Sequence, residues 1–300
     1  MRALLLVSTL LLASTPAVAQ ELEPRAYSAS PVGANFVVAG YGYTWGPIVF
    51  DPSLPIEDVN AHVHLIPVGY GRTFGVFGKQ ALATAALPFV VGHVRGRVFE
   101  ADSAVTRTGL GDGRAKLSVN LIGGPALSRA EFAARPRSKV IAGTSLTVIA
   151  PTGQYYSDKV INIGSHRWAF KPEVGMATLW GRRLYLEAYG GVWLYTSNNS
   201  FYPGASTRQQ NPMTSLQAHA SYTFHPRDWV ALDYTWYGGG STSTNGGPDV
   251  GRLSNSRVGA TGSVGLNASQ SIKLNASTGA SGRVGSKFRA VAAAYQRTWF

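Results

Sequence analysis

From Leu184 to Tyr195 the chain alternates strictly. Leu184, Leu186, Ala188, Gly190, Val192 and Leu194 share one parity; Tyr185, Glu187, Tyr189, Gly191, Trp193 and Tyr195 share the other. A period of two is the pattern of an extended strand whose faces meet two different environments. Leu216, Ala218, Ala220, Tyr222 and Phe224 oppose Ser215, Gln217, His219, Ser221 and Thr223 in the same way. Val230, Leu232, Tyr234 and Trp236 oppose Ala231, Asp233, Thr235 and Tyr237, and Ile272, Leu274 and Ala276 oppose Lys273, Asn275 and Ser277. Earlier, Ala115, Leu117, Val119 and Leu121 oppose Arg114, Lys116, Ser118 and Asn120. Charges fall on one parity, as a wall with one face in lipid requires.

Continued along the chain, the pattern predicts about twelve strands of ~10 residues. They begin near Asn35, Asn60, Gln80, Gly113, Val140, Trp168, Leu184, Met213, Trp229, Arg257, Gln270 and Phe288. The second carries His62 and His64 on its polar parity. Connection lengths alternate. Long segments run from Gly46 to Asp58, Gly92 to Leu110, Pro151 to Arg167, Thr196 to Pro212 and Gly239 to Ser256; short ones include Gly75 to Gly78, Gly181 to Arg183 and Pro226 to Asp228. Long extracellular loops alternating with short periplasmic turns are what an up-and-down barrel with a periplasmic N-terminus needs. Two connections break the alternation. Ser281 to Lys287 is short, and the turn from Gly123 to Ser138 is long, with Ser128 and Glu131 spaced to cap a short helix.

The N-terminus supplies the compartment. Arg2, the apolar run Ala3–Ala13 and the small residues Ala17 and Ala19 have the form of a secretory signal peptide. The expected organisation is a signal at 1–19, a segment at 20–33 that is a periplasmic tail or an interior plug, and an outer-membrane β-barrel at 34–300. No later apolar run reaches the ~18 residues of a membrane helix, so a membrane protein of this sequence is all-β, a transmembrane antiparallel barrel. Thirty-five Gly, 14 Tyr and 7 Trp at a mean hydropathy near zero suit barrel walls and interfacial girdles. With no Cys, disulfides and thiol chemistry are absent.

The net charge of +12 would suggest nucleic acid in a cytoplasmic protein. Export removes that partner. What remains is a lumen that favours anions, basic loops against lipopolysaccharide phosphates, or plain loop solubility, to which Arg129, Arg135 and Arg137 are assigned. The interior parity collects Arg114, Lys116, Asn120, Lys171, Glu173, Glu187, Tyr189, Trp193, Asp233, Arg257 and Lys273. With both signs present, these residues brace the lumen by ion pairs, line it for selectivity, or do both. Tyr185, Tyr189, Trp193 and Tyr195 make one wall aromatic, suited to stacking or simply to filling space. No catalytic, metal or cofactor set is expected. His219 and Ser221 share a strand face at i,i+2 and point inward, and His62 and His64 lack a third ligand. The loop Gly239–Arg252 reads as flexible filler, whereas Gln154–His166, more apolar, reads as able to fold over the mouth.

Several stretches carry a resemblance. Glu23-Pro24-Arg25-Ala26-Tyr27-Ser28, Phe50-Asp51-Pro52-Ser53-Leu54-Pro55-Ile56, Leu117-Ser118-Val119-Asn120-Leu121 and Pro151-Thr152-Gly153-Gln154-Tyr155 resemble outer-membrane proteins of the meta-pathway (MetA-pathway) phenol-degradation transporter family. So do Trp168-Ala169-Phe170-Lys171-Pro172-Glu173 and Ser254-Asn255-Ser256-Arg257-Val258-Gly259. The resemblance spans nearly the whole mature chain. It implies a barrel that moves hydrophobic or aromatic compounds. The expectation is therefore a monomeric, non-enzymatic channel of the bacterial outer membrane, assembled by the barrel-assembly machinery among lipid and lipopolysaccharide. It would pass a small-molecule solute through a narrow charged lumen. The alternative is a closed structural or surface-interaction barrel.

Overall fold

The structure, a computed structural model, describes residues 22–47, 56–98, 101–225, 227–282 and 288–300. The signal-peptide reading at 1–19 lies outside the described residues, as does most of the connection Ser281–Lys287.

In chain order the described elements are β1 (Asn35–Pro47), β2 (Ile56–Val76), β3 (Lys79–Val98), β4 (Ala101–Leu110) and β5 (Gly113–Ile122), then α1 (Arg129–Ala134). There follow β6 (Val140–Ala150), β7 (Ala169–Trp180), β8 (Leu184–Tyr195), β9 (Asn198–Phe201), β10 (Ser206–Gln210) and β11 (Met213–His225). The last are β12 (Asp228–Gly239), β13 (Thr242–Thr244), β14 (Leu253–Gly265), β15 (Gln270–Gly282) and β16 (Arg289–Trp299). Twelve of these strands, all but β4, β9, β10 and β13, form the barrel, each paired antiparallel to its neighbours. Pairing of β1 with β16, Asn35 opposite Trp299, closes the ring. Closure leaves no unpaired edge, which hydrocarbon would not tolerate. Each barrel strand begins within a few residues of its predicted start.

The burial pattern is inverted relative to a water-soluble domain. Leu232 is 71% exposed on the outer face while Lys171 is 0% exposed inside. Outward Leu117, Leu146, Val174, Leu274 and Val264 make the apolar belt. Trp168 precedes β7 and Trp180 ends it, so the two exposed indoles mark opposite rims of the belt. At the periplasmic end, Phe77 and Gly78 both adopt positive φ, the two-residue hairpin geometry that matches strand twist. The helix expected after Ser128 is present. Ser128 Oγ accepts from the Glu131 amide and the Glu131 carboxylate accepts from the Ser128 amide.

Three readings of the loops need correction. The segment Gly92–Leu110 is not a loop, because β3 continues past the belt and folds back as β4, paired from Phe89↔Leu110 to Val98↔Ala101. The long connection Thr196–Pro212 and the loop Gly239–Arg252, the latter read as flexible filler, carry short strands: β10 pairs with both β9 and β13 in a small sheet above the barrel. Such short polar strands lack an apolar face, so they carry no hydrophobic period to read. Lastly, His62 and His64 lie on the outward face. Alternation holds, but above the belt the outward face meets water and turns polar.

Candidate functional site

The lumen is built from strand positions of one parity, and all eleven residues predicted to line it are buried there. What sequence reasoning left open is how the lumen is filled. Residues 22–33 run inside the barrel down to its periplasmic rim, contacting most of the wall on the way.

Glu23 is bound by two cations. Its carboxylate lies 2.9 Å from Arg114 Nη2 and 2.8 Å from Lys116 Nζ. Burial alone would raise its pKa, but Lys116 and Arg114 outweigh burial and hold the carboxyl below the usual range. Arg25 adopts a left-handed φ of 67° at the turn. Its amide donates to Glu187 Oε2 at 2.9 Å, and its guanidinium donates to Ser221 Oγ at 3.0 Å and Thr223 Oγ1 at 2.6 Å. The same guanidinium stacks over Trp229 at 4.5 Å and Tyr185 at 5.1 Å. Tyr27 Oη donates to Glu173 Oε1 at 3.2 Å and lies 3.0 Å from Ser145 Oγ. Below it, the Ser30 amide donates to Gln80 Oε1 at 2.8 Å, and Thr73 Oγ1 donates to the Pro31 carbonyl at 2.7 Å.

Glycines on the lumen face make the seat. A Cβ on Gly175 would fall 2.2 Å from Tyr27 Cε2, one on Gly143 2.7 Å from Tyr27 Cδ1, and one on Gly259 2.7 Å from Leu22 Cδ1. A glycine inside a strand often marks close approach of another group. Inward glycines at Gly143, Gly175 and Gly259 were thus the readable signal for the seated segment.

Around the segment the wall residues pair with one another. Lys171 Nζ lies 2.8 Å from Glu173 Oε2, and Lys116 Nζ lies 3.5 Å from Glu173 Oε1. Tyr189 Oη donates to Glu187 Oε1 at 2.8 Å, and Asn120 Nδ2 donates to the Tyr27 carbonyl at 3.1 Å. His219 Nδ1 lies 2.7 Å from Asp233 Oδ1, and Thr261 Oγ1 donates to Asp233 Oδ2 at 2.6 Å. Arg257 Nη2 donates to Ser277 Oγ at 2.8 Å while its guanidinium stacks 3.9 Å from the Phe288 ring. Lys273 Nζ lies 5.5 Å from the Trp229 ring. Hence His219 and Ser221, on one face, bond to different partners and form no nucleophile–base pair.

Beside the charged residues, toward the extracellular end, lies an apolar cluster. Trp193, Met213, Tyr237, Ile149 and Ala169 pack together, with Tyr195 and Leu253 against them. Lys171 Nζ, 5.4 Å from the Trp193 ring, joins the two layers. Three buried polar atoms at this boundary, Thr147 Oγ1, Trp193 Nε1 and Ser215 Oγ, have no hydrogen-bond partner among the described residues. The loop 151–168 packs against the extended ends of β2 and β3. Ile161 packs on Val59, Ala61 and Val94, and Asp112 accepts from the Gly153 and Ser165 amides at 2.9 and 2.8 Å. On β2 and β3 a third outward histidine joins His62 and His64, since His93 lies opposite His62 in the register. His62 and His64 bond through Nδ1 to Tyr43 and Tyr41 hydroxyls, and among the described residues no group of side chains is arranged to hold a metal.

A closed twelve-strand barrel with an outward apolar belt and a charged, occupied interior is a transmembrane β-barrel of the bacterial outer membrane. Residues 58–296 match the family model described as "Putative MetA-pathway of phenol degradation", and the chain belongs to that family. An outer membrane channel from Pseudomonas putida F1 is similar in structure, with TM-score 0.77 and 19% identity over 93% of this chain and 100% of that one. The β domain of the Bordetella autotransporter BrkA is similar at TM-score 0.52 and 12% identity, covering 89% of this chain and 100% of that one. A sequence comparison with curated proteins gave no match.

Proposed function

We propose that the protein is a non-enzymatic uptake channel for small hydrophobic or aromatic compounds, entered from the extracellular side and closed at rest by its N-terminal segment. One observation carries the reading: an aromatic layer, Trp193 with Tyr195 and Tyr237, borders buried polar atoms without hydrogen-bond partners among the described residues, and Arg167 of the loop 151–168 lies over Tyr195. A ring that stacks on Trp193 while its hydroxyl pairs with Ser215 Oγ satisfies both features at once. Family membership and the structural likeness to a channel agree with transport. Charged residues below, with six cations against four carboxylates among the described interior residues, favour anions over cations in whatever ionic leak the seated segment permits.

The test is ion current in planar bilayers with phenol added on the extracellular side. Phenol should reduce the small resting current of the wild type, and Trp193→Ala should abolish that block. A current indifferent to phenol, or a block surviving Trp193→Ala, would refute the aromatic layer as the binding step. The alternative of a closed structural barrel is favoured by how completely residues 22–33 are bonded to the wall. Absence of current even after Glu23→Gln would support it.

A further inference from the structure

On the lipid side, strands β8, β11, β12, β14 and β15 border an open hollow of about 530 Å³. Its floor is Ala220, Ala260 and Gly262, and its sides are Tyr222, Leu232 and Leu274. A Cβ on Gly262 would meet nothing within 4 Å, so the space opens to the hydrocarbon. The hollow lies in the periplasmic half of the wall, because Leu184 begins β8 and Tyr222 stands three residues from the end of β11.

Immediately below it the rim is basic. Arg182 and Arg183 directly precede Leu184, and Arg227 precedes Val230, another lining residue, by three positions or ~10 Å of strand. Arg227 also reaches across to the end of β14: its guanidinium donates to the Ala268 carbonyl, and a Cβ on Gly265 would lie 2.6 Å from Arg227 Cβ. The connections 123–139, 181–183 and 227–228 together hold seven cations and two carboxylates, a large share of the net +12. Apolar space with a basic edge at headgroup height complements an anionic amphiphile, and the periplasmic leaflet supplies phospholipids.

We propose that the hollow and the rim of Arg182, Arg183 and Arg227 hold one anionic phospholipid, its acyl chain in the hollow and its phosphate on the arginines. The site is separate from the lumen and does not depend on the transport reading. A phosphatidylglycerol carries a net charge that phosphatidylcholine lacks, and each arginine near the headgroup should favour it roughly fivefold.

The experiment is native mass spectrometry of the full mature protein in non-ionic detergent, titrated with dioleoylphosphatidylglycerol or dioleoylphosphatidylcholine. One retained phosphatidylglycerol, preferred at least fivefold, is expected. Gly262→Leu, which places a branched side chain on the floor of the hollow without touching the lumen, should weaken retention of both lipids severalfold. Arg182→Gln, Arg183→Gln and Arg227→Gln together should remove the preference but leave weak retention. Heat-modifiable gel mobility confirms that each variant is a folded barrel. The proposal is overturned by equal binding of the two lipids to the wild type, by retention undiminished in Gly262→Leu, or by a phosphatidylglycerol preference that survives loss of the three arginines.

Discussion

Tyr27 occupies the space of the side chain that Gly175 lacks, with its Cε2 2.2 Å from where a Cβ would stand. This contact joins the N-terminal segment to the middle of β7, and the ring also meets Tyr189 edge-on at 5.2 Å. Gly175→Ala should therefore unseat Tyr27. Overpacking of this kind costs ~1–3 kcal/mol, and the expected readout is a severalfold larger conductance with a still-folded barrel. Unchanged conductance would show that Tyr27 already lies elsewhere in the membrane.

Glu23 is the electrostatic anchor. Glu23→Gln removes one partner of a buried group, which typically costs ~3–5 kcal/mol, and should release the segment to added protease. The pH dependence follows from the depressed pKa. Stabilisation by the carboxylate is complete above the ordinary value of 4.5 and declines only as pH falls through the lower folded-state value. Protease sensitivity of residues 22–33 should stay flat from pH 8 to pH 5 and rise only in stronger acid. A rise already at pH 6 would mean that another group holds the segment.

Lys273 is fully buried on the lumen face. Lys273→Glu reverses one fixed charge in a narrow pore. In a salt gradient the reversal potential should move toward cation preference by several millivolts. A selectivity that ignores the change would mean that Lys273 only braces the wall against Trp229.

Asp233 accepts from both His219 and Thr261 on neighbouring strands. Asp233→Ala leaves the buried His219 ring without a hydrogen-bond partner among the described residues, at ~1–3 kcal/mol, while Thr261 keeps the bond it accepts from Asn275. Thermal unfolding, followed by loss of heat-modifiable mobility, should occur several degrees lower. An unchanged transition would show that water replaces the carboxylate.

Ile161 fixes the loop 151–168 to the extended β2–β3 ribbon. Ile161→Asp should free the loop, leaving barrel stability unchanged while limited proteolysis cuts between residues 154 and 166. Persisting protection would assign the anchoring to Asp112 instead.

The number of barrel strands, their starts, the inward and outward residues of the strands from β5 onward and the capped helix at Ser128 were legible in the sequence. Each depends on a local period or a local hydrogen bond, so neighbouring residues carry the information: Leu186 beside Glu187, or Ser128 beside Glu131, states its own environment. The seating of residues 22–33 was decided by tertiary structure. Glu23 meets Arg114 and Lys116 across more than ninety residues of chain, and only barrel closure brings them together. The partner strand β4, the sheet of β9, β10 and β13, and the third histidine at His93 are likewise set by register between strands. A period of two tells which face a residue occupies, but it carries no information about what stands opposite.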